Sequence, residues 1–313
     1  MTTGTTAATS RPGAAAPAAA APDRRRVGRG RRSQAGAHQW DATPLTRLTL
    51  IVAVALSFFP LWWMIVIASR TNADATRFPP PILPGGNLLN NLRTALSDPS
   101  SHLVTGLVNS FIVASTVTFG VVVISTMAGF AFAKLRFRGR SALLVVVLLT
   151  MAVPLQHIGI VPLYIMMVQL GWTNTLHAVI LPFLVNGFGI FLMRQYTLQA
   201  VPDSLVEAAR TDGANTARIY WSIVLPALRP GMAVLALLTF MLNWNEFLWP
   251  LLVLDADNPT VQVAIRQLQQ SNYSADFAML FTGTLISILP LVVIFVAFGK
   301  QIIGGIMEGA VRQ

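Results

Sequence analysis

Ser204-Leu205-Val206-Glu207-Ala208-Ala209-Arg210-Thr211-Asp212-Gly213-Ala214, followed nine residues on by Ile223-Val224-Leu225-Pro226, is a short polar interval between two long apolar runs. Ser204 and Glu207 match a capping box, in which each side chain satisfies the other's backbone N–H. Ala208, Ala209 and Arg210 are good helix formers. Gly213 suits the left-handed residue that ends a helix, and Asn215 suits the N-cap of a second short helix. Tyr220, Ile223 and Val224 would share one face of that helix, and Pro226 and Pro230 mark the return to apolar sequence. The stretch therefore predicts two short helices hinged at Gly213, within a loop over 202–230. Small side chains at Ala208, Ala209 and Ala214 permit close approach of another protein, and Glu207 offers a basic partner a fixed negative charge. The plainer alternative is an amphipathic elbow lying on headgroups without a partner.

The surrounding chain sets the class. Of 313 residues, 54% are hydrophobic and 11% charged, against about 25% charged in soluble domains. Six runs reach the roughly 20 apolar residues needed to cross a bilayer: 48–68, 107–133, 142–168, 176–198, 232–254 and 277–299. The expectation is an all-α membrane protein of six transmembrane helices. Absence of cysteine excludes disulfide frameworks and thiolate metal sites, and none of the four histidines stands at metal-ligand spacing with a carboxylate.

Basic residues set the orientation. Eight lie before or at the edge of the first run, four at 134–140, four between Arg194 and Arg229, and two near the C-terminus. The other side keeps Arg70, Arg77, Arg93 and Arg266. Both termini and the Glu207 loop are thus expected in the cytoplasm. Residues 1–44 are rich in Arg, Ala and Pro without apolar periodicity, so a disordered tail is expected, with 45–313 as the permease domain. The tail lacks the apolar core of a signal peptide, and its prolines argue against a transit peptide. Its charge suits anionic lipid headgroups better than nucleic acid. In the outer loop 70–105, Leu88, Leu89, Leu92 and Leu96 fall at helical spacing and predict a short surface helix. Pro60, Pro154, Pro162, Pro182, Pro250 and Pro290 within the runs read as ordinary kinks before hinges.

Glu207-Ala208-Ala209, Asp212-Gly213-Ala214 and Ile223-Val224-Leu225-Pro226 resemble, in spacing and place, the EAA loop of binding-protein-dependent ABC importer permeases. Asn243-Trp244-Asn245-Glu246-Phe247-Leu248-Trp249-Pro250 looks like the fifth span of carbohydrate permeases of the maltose-importer type. Ala131–Gly139 and Gly304–Val311 are similar to the same group. The resemblance covers Leu48 to the C-terminus and matches the smaller of two permease subunits. It implies the type I importer permease fold in a bacterial inner membrane. It implies a heterodimer with a second permease, two ATPase subunits that hold ATP and magnesium, and an extracytoplasmic solute-binding protein. The first short helix would seat in an ATPase cleft, through Glu207, Ala208, Ala209, Asp212, Gly213, Ala214, Ile223, Leu225 and Pro226. No GxxxxGK[ST] phosphate loop occurs in the chain, so ATP hydrolysis is expected on the partner and no cofactor or metal on this chain.

For the solute path, Glu246 is the one acidic residue placed within a span, a candidate by default. It lies about 21 Å along the helix from Met232. Asn243 stands at i, i+3 to it, Asn245 adds an amide, and Trp244 or Trp249 offers a ring to a sugar face. The alternatives are interhelical bonding or an outer gate. Asn109, Ser110, Gln156, His157, Asn186 and Gln195 read as interhelical hydrogen-bonding residues, and a proton path through His157 is the lesser reading. An ion-coupled carrier, a non-transport scaffold using the Arg tail, and a permease for polyols or glycerol phosphate are the rival functions.

Overall fold

The computed structural model describes residues 43–152, 159–270 and 275–310, and among these there is helix and no strand. The expected disordered tail, Pro154, Gln156 and His157 lie outside the described residues. The chain separates into two units, Met1–Ala53 and Val54–Gln313. In the first, helix α1 (Pro44–Ala68) begins. Proline at its first position needs no N–H partner, and Thr43 Oγ1 accepts from the Thr46 N–H at 3.3 Å, an N-cap bond.

The second unit carries α2 (Leu88–Ser97), α3 (Leu103–Lys134), α4 (Arg140–Ala152), α5 (Ile160–Gln169) and α6 (Leu176–Ile180). Then come α7 (Gly187–Ala200), α8 (Asp203–Thr211), α9 (Thr216–Ile219), α10 (Arg229–Trp244), α11 (Leu248–Val253), α12 (Val261–Gln270) and α13 (Phe277–Ala310). Three of the six expected spans are continuous apolar helices: α1, α3 and the first 20 residues of α13. Another, 176–198, is a bent pair. The α6 segment and α7 meet at 44°, and 216–227 meets α10 at 74°. The run at 142–168 is held in two shorter helices, α4 and α5, and the expected span at 232–254 is interrupted after Trp244.

The bends have local causes. Pro182 tightens the chain into a 3-10 turn at Leu181–Phe183. Asn186 then restarts the helix, its Oδ1 accepting from the Gly189 N–H at 3.2 Å. Freed backbone groups in an apolar medium need such partners. Between α10 and 216–227 stands Leu228, with Pro226 and Pro230 on either side.

In lipid no hydrophobic gain separates helix–helix from helix–lipid contact, so close packing of small residues decides which faces meet. Helix α3 buries Gly106, Ser110, Ala114, Ser125, Gly129 and Ala133 along its length. At Gly129 it crosses α7 so closely that a Cβ would lie 2.8 Å from the Arg194 nitrogen and the Met193 carbonyl carbon. Val113, Val117 and Val121 recur every fourth residue and pack with Val179, Met193, Leu235 and Trp249 in the main core.

The surface helix α2 forms as its spacing requires, but it buries a different stripe. Asn91 and Ala95 are the buried residues, while Leu89 and Leu96 stand exposed. Asn91 decides the face: its Nδ2 donates to the carbonyls of Ala68 at 2.9 Å and Arg70 at 2.8 Å. Those are orphan acceptors at and just past the end of α1. The loop is drawn to the same place by Gly85 N–H donating to Ser69 Oγ (2.7 Å) and Arg70 to the Leu83 carbonyl (2.8 Å).

Candidate functional site

The two short helices form. Helix α8 starts two residues earlier than the capping box requires, with Pro202 at the N-cap and no side-chain cap bond. Ser204 is therefore inside the helix, and the Ser204–Glu207 box is corrected. Pro202 fixes φ at −61° with ψ at 146°, which already sets the entry. Asp203 in the first turn suits the helix dipole.

The other end closes as the sequence requires. Gly213 has φ +81°, its N–H donates to the Arg210 carbonyl (3.0 Å), and the Ala214 N–H donates to Ala209 (2.9 Å). That is a complete Schellman motif. A Cβ on Gly213 would meet nothing within 4 Å. Asn215 then caps α9, Oδ1 accepting from the Arg218 N–H at 2.8 Å. Glu207, Ala208, Arg210, Thr211, Asp212 and Gly213 are exposed, while Val206 is the buried residue of α8. Ala209, Ala214, Ile223 and Leu225 lean on a cluster of Phe130, Val201, Val206, Ile219, Tyr220, Val224 and Leu228. Pro226 is exposed. Leu205 and Trp221 of the elbow also stand exposed.

After α9 the chain widens into a π turn over Tyr220–Val224. Such turns are rare and cluster at functional sites, and nothing in the local sequence marks this one. The Tyr220 hydroxyl lies 2.8 Å from Thr126 Oγ1 on α3, both buried. The Phe130 ring lies 5.8 Å from that of Tyr220. At the end of α3, Lys134 Nζ donates to Asp203 Oδ1 at 2.6 Å. This charge-assisted bond, and then the Lys134 charge itself, hold the Asp203 carboxyl below its usual pKa, with Arg136 adding to the effect. Lys134, Arg136, Arg140, Arg210, Asp203 and Glu207 line a cavity of about 770 Å³. Glu207 thus borders a cavity that cations of its own chain also line, which sequence spacing did not reveal.

The Asn243–Glu246 group divides. Trp244 is 1% exposed and its Nε1 donates to the Ser287 carbonyl at 3.1 Å. Trp249 is likewise buried, its Nε1 donating to the Ala178 carbonyl at 3.0 Å. Neither ring is available to a sugar face, which corrects that expectation. Asn243 and Asn245 donate back to the carbonyls of Thr239 and Met241. Helix α10 ends at Trp244, so Asn243 and Glu246 do not share a helical face. Glu246 lies in the break, Oε1 accepting from the Trp249 N–H at 3.2 Å.

A second cavity, of about 420 Å³, is lined by Phe111, Ser115, Thr118 and Phe119 of α3, and by Phe240 of α10, among others. Thr118 Oγ1 is buried without a hydrogen-bond partner. Sequence reading missed these residues because three phenylalanines and two hydroxyls scattered over two distant spans carry no spacing signal.

The family model described as binding-protein-dependent transport system inner membrane component matches residues 120–301, more than half of the chain. The chain belongs to that family. The matched region holds the α3 stripe from Thr126 to Lys134, the whole elbow and the α10–α11 break. The permease is 33% identical to the lactose transport system permease protein LacG of Rhizobium radiobacter, over 84% of this chain and 94% of that one. It is 31% identical to the sn-glycerol-3-phosphate transport system permease protein UgpE of Brucella abortus (strain 2308), over 83% and 94%. In structure it resembles a bacterial ABC transporter involved in the import of the acidic polysaccharide alginate, with a TM-score of 0.71 at 21% identity over 82% and 94%. The permease is a multi-pass membrane transport component with the ABC importer permease fold.

Proposed function

We propose that this permease is one of two different membrane subunits of an ATP-driven importer for carbohydrates. The observation that carries it is α8: an exposed helix closed by a Schellman turn at Gly213, in a chain of this family. Its open face suits a cleft on a separate ATPase that holds ATP and magnesium. Both termini and the elbow lie in the cytoplasm, as the distribution of Lys and Arg supports. The six spans are α1, α3, α4 with α5, α6 with α7, α10 with α11, and α13. Permease relatives are transport components, and this subunit leaves hydrolysis to its partner. A solute-binding protein delivers the cargo from the other side.

A neutral sugar is favoured over a phosphate ester by the lining of the 420 Å³ cavity. Three phenyl rings and the Ser115 and Thr118 hydroxyls line it without Lys or Arg. Ring faces and hydroxyls suit a sugar, whereas a phosphate in lipid surroundings needs a cation. An ion-coupled carrier is less well supported, because Glu246 is spent on capping α11.

Mild-detergent purification followed by mass spectrometry tests the assembly. Co-purification of a phosphate-loop ATPase and a second permease supports it, and an isolated chain that transports in liposomes refutes it. Calorimetry of the recovered binding protein against lactose and sn-glycerol-3-phosphate tests the solute class. Binding of the phosphate ester alone overturns the sugar assignment.

A further inference from the structure

The elbow is joined to its neighbours in two different ways. Along the chain it continues into α10 through a π turn, Pro226 and a 74° bend at Leu228. A push on α8 sent that way must turn a corner. Through side chains it is fastened to α3 at three positions, Thr126, Phe130 and Lys134. These stand at i, i+4 and i+8, so they form one stripe on one helix face.

The two ends of the elbow take the two ends of the stripe. Asp203, the first residue of α8, pairs with Lys134, the last of α3. The Lys134 side chain is 4% exposed. Tyr220, the first residue of the π turn, reaches Thr126 about 12 Å further along α3. Thr126 Oγ1 also lies 2.8 Å from the Val122 carbonyl and 2.9 Å from that of Val123. A threonine hydroxyl has one proton, and those carbonyls can only accept. Thr126 therefore donates within α3, and Tyr220 donates to Thr126.

We propose that Tyr220 is a positioning residue for energy coupling: its hydroxyl clamps the elbow to α3, so that movement of α8 is delivered to α3 directly. Helix α3 runs unbroken for 32 residues, about 48 Å. Its other end is held in turn. Asn109 Nδ2 donates to Asn258 Oδ1 (2.8 Å) and the Pro259 carbonyl (2.9 Å), and the Val261 N–H donates to Ser110 Oγ (2.8 Å). A clamp at Tyr220 thus links the elbow to the 258–261 segment through one rigid helix. The inference rests on the reading of α8 as the ATPase-facing helix.

The test uses the assembled importer, with its second permease, ATPases and binding protein, in proteoliposomes. The natural chain has no cysteine, so Ala208→Cys supplies a single thiol for cross-linking α8 to the ATPase. Tyr220→Phe removes one donor and leaves Thr126 still bonded to Val122. Uptake per ATP hydrolysed is expected to fall about fivefold, the worth of one neutral hydrogen bond, with the amount of complex and the cross-link unchanged. Thr126→Val strands the buried Tyr220 hydroxyl and is expected to lose more. Adding Tyr220→Phe to Thr126→Val is expected to restore part of that loss. Unchanged uptake per ATP in Tyr220→Phe, with the cross-link intact, overturns the clamp. So does a loss of assembled complex in place of a loss of coupling, which would make Tyr220 a packing residue. Failure of Ala208→Cys to cross-link overturns the ATPase-facing reading itself.

Discussion

The Glu246 carboxylate accepts the backbone N–H of Trp249 at 3.2 Å, across the break between α10 and α11. One carboxylate oxygen so restarts a helix where the chain has just stopped one. Glu246→Gln keeps an acceptor oxygen at the same reach, and its thermal stability in detergent should match the natural protein. Glu246→Ala loses the cap, at about 1 kcal/mol. Equal loss of uptake in both variants, with the Gln protein as stable as the natural one, would assign the charge to the solute path instead.

Asn91 makes a sharper case, because both of its bonds go to carbonyls at the end of α1. Asn91→Ala removes the donor to the Arg70 carbonyl, leaves the Ala68 carbonyl only Thr282 Oγ1 at 3.4 Å, and should cost about 1–3 kcal/mol. Asn91→Asp should be worse, since an ionised carboxylate donates nothing and would face carbonyl oxygens. Thermal unfolding followed by gel filtration ranks the two, and an Asp variant as stable as the natural protein would refute the capping role.

At Gly213 backbone and charge separate. Its φ of +81° penalises most side chains, yet the space around it is open. Asn visits this region more readily than other residues. Gly213→Asn should insert, assemble and retain most uptake. Gly213→Asp, nearly the same shape with a negative charge, should insert and abolish uptake. Equal activity of the two would remove the argument that this turn meets a partner surface.

The Lys134–Asp203 pair predicts a pH response of defined sign. Lys134, then Arg136, hold the Asp203 carboxyl below its usual value. A group with a depressed folded-state pKa stabilises above the ordinary carboxylate range, and that contribution is lost as pH falls through the depressed value. The difference in melting temperature between the natural protein and Asp203→Asn should therefore be constant from about pH 6 to 8 and shrink below about pH 4. A difference that changes between pH 6 and 8 would point to another titrating group.

What was legible in the sequence is local. Gly213 and Asn215 declare a turn and a cap through their own backbone and side-chain chemistry, and both act as their types suggest. The apolar runs of α1 and α3 are legible because a bilayer demands length. The losses are of two kinds. Where several faces of a helix were apolar, periodicity did not choose among them: on α2 the face was set by Asn91 finding the end of α1, leaving Leu89 and Leu96 outside. Where tertiary partners decide, spacing misled. Trp244 and Trp249 look like sugar platforms until Ser287 and Ala178 are seen to accept their indole protons. The Tyr220 hydroxyl likewise finds its partner in Thr126, 94 residues away.

Leu205 and Trp221 stand uncovered on the elbow, which in the proposed orientation lies outside the lipid. Apolar side chains in water are adhesive. A newly made subunit without its ATPase therefore carries a mark of incompleteness, and seating the partner erases it. The same two residues that make the surface fit for assembly expose an orphaned copy to chaperones and proteases, so the abundance of this chain should follow that of its partner.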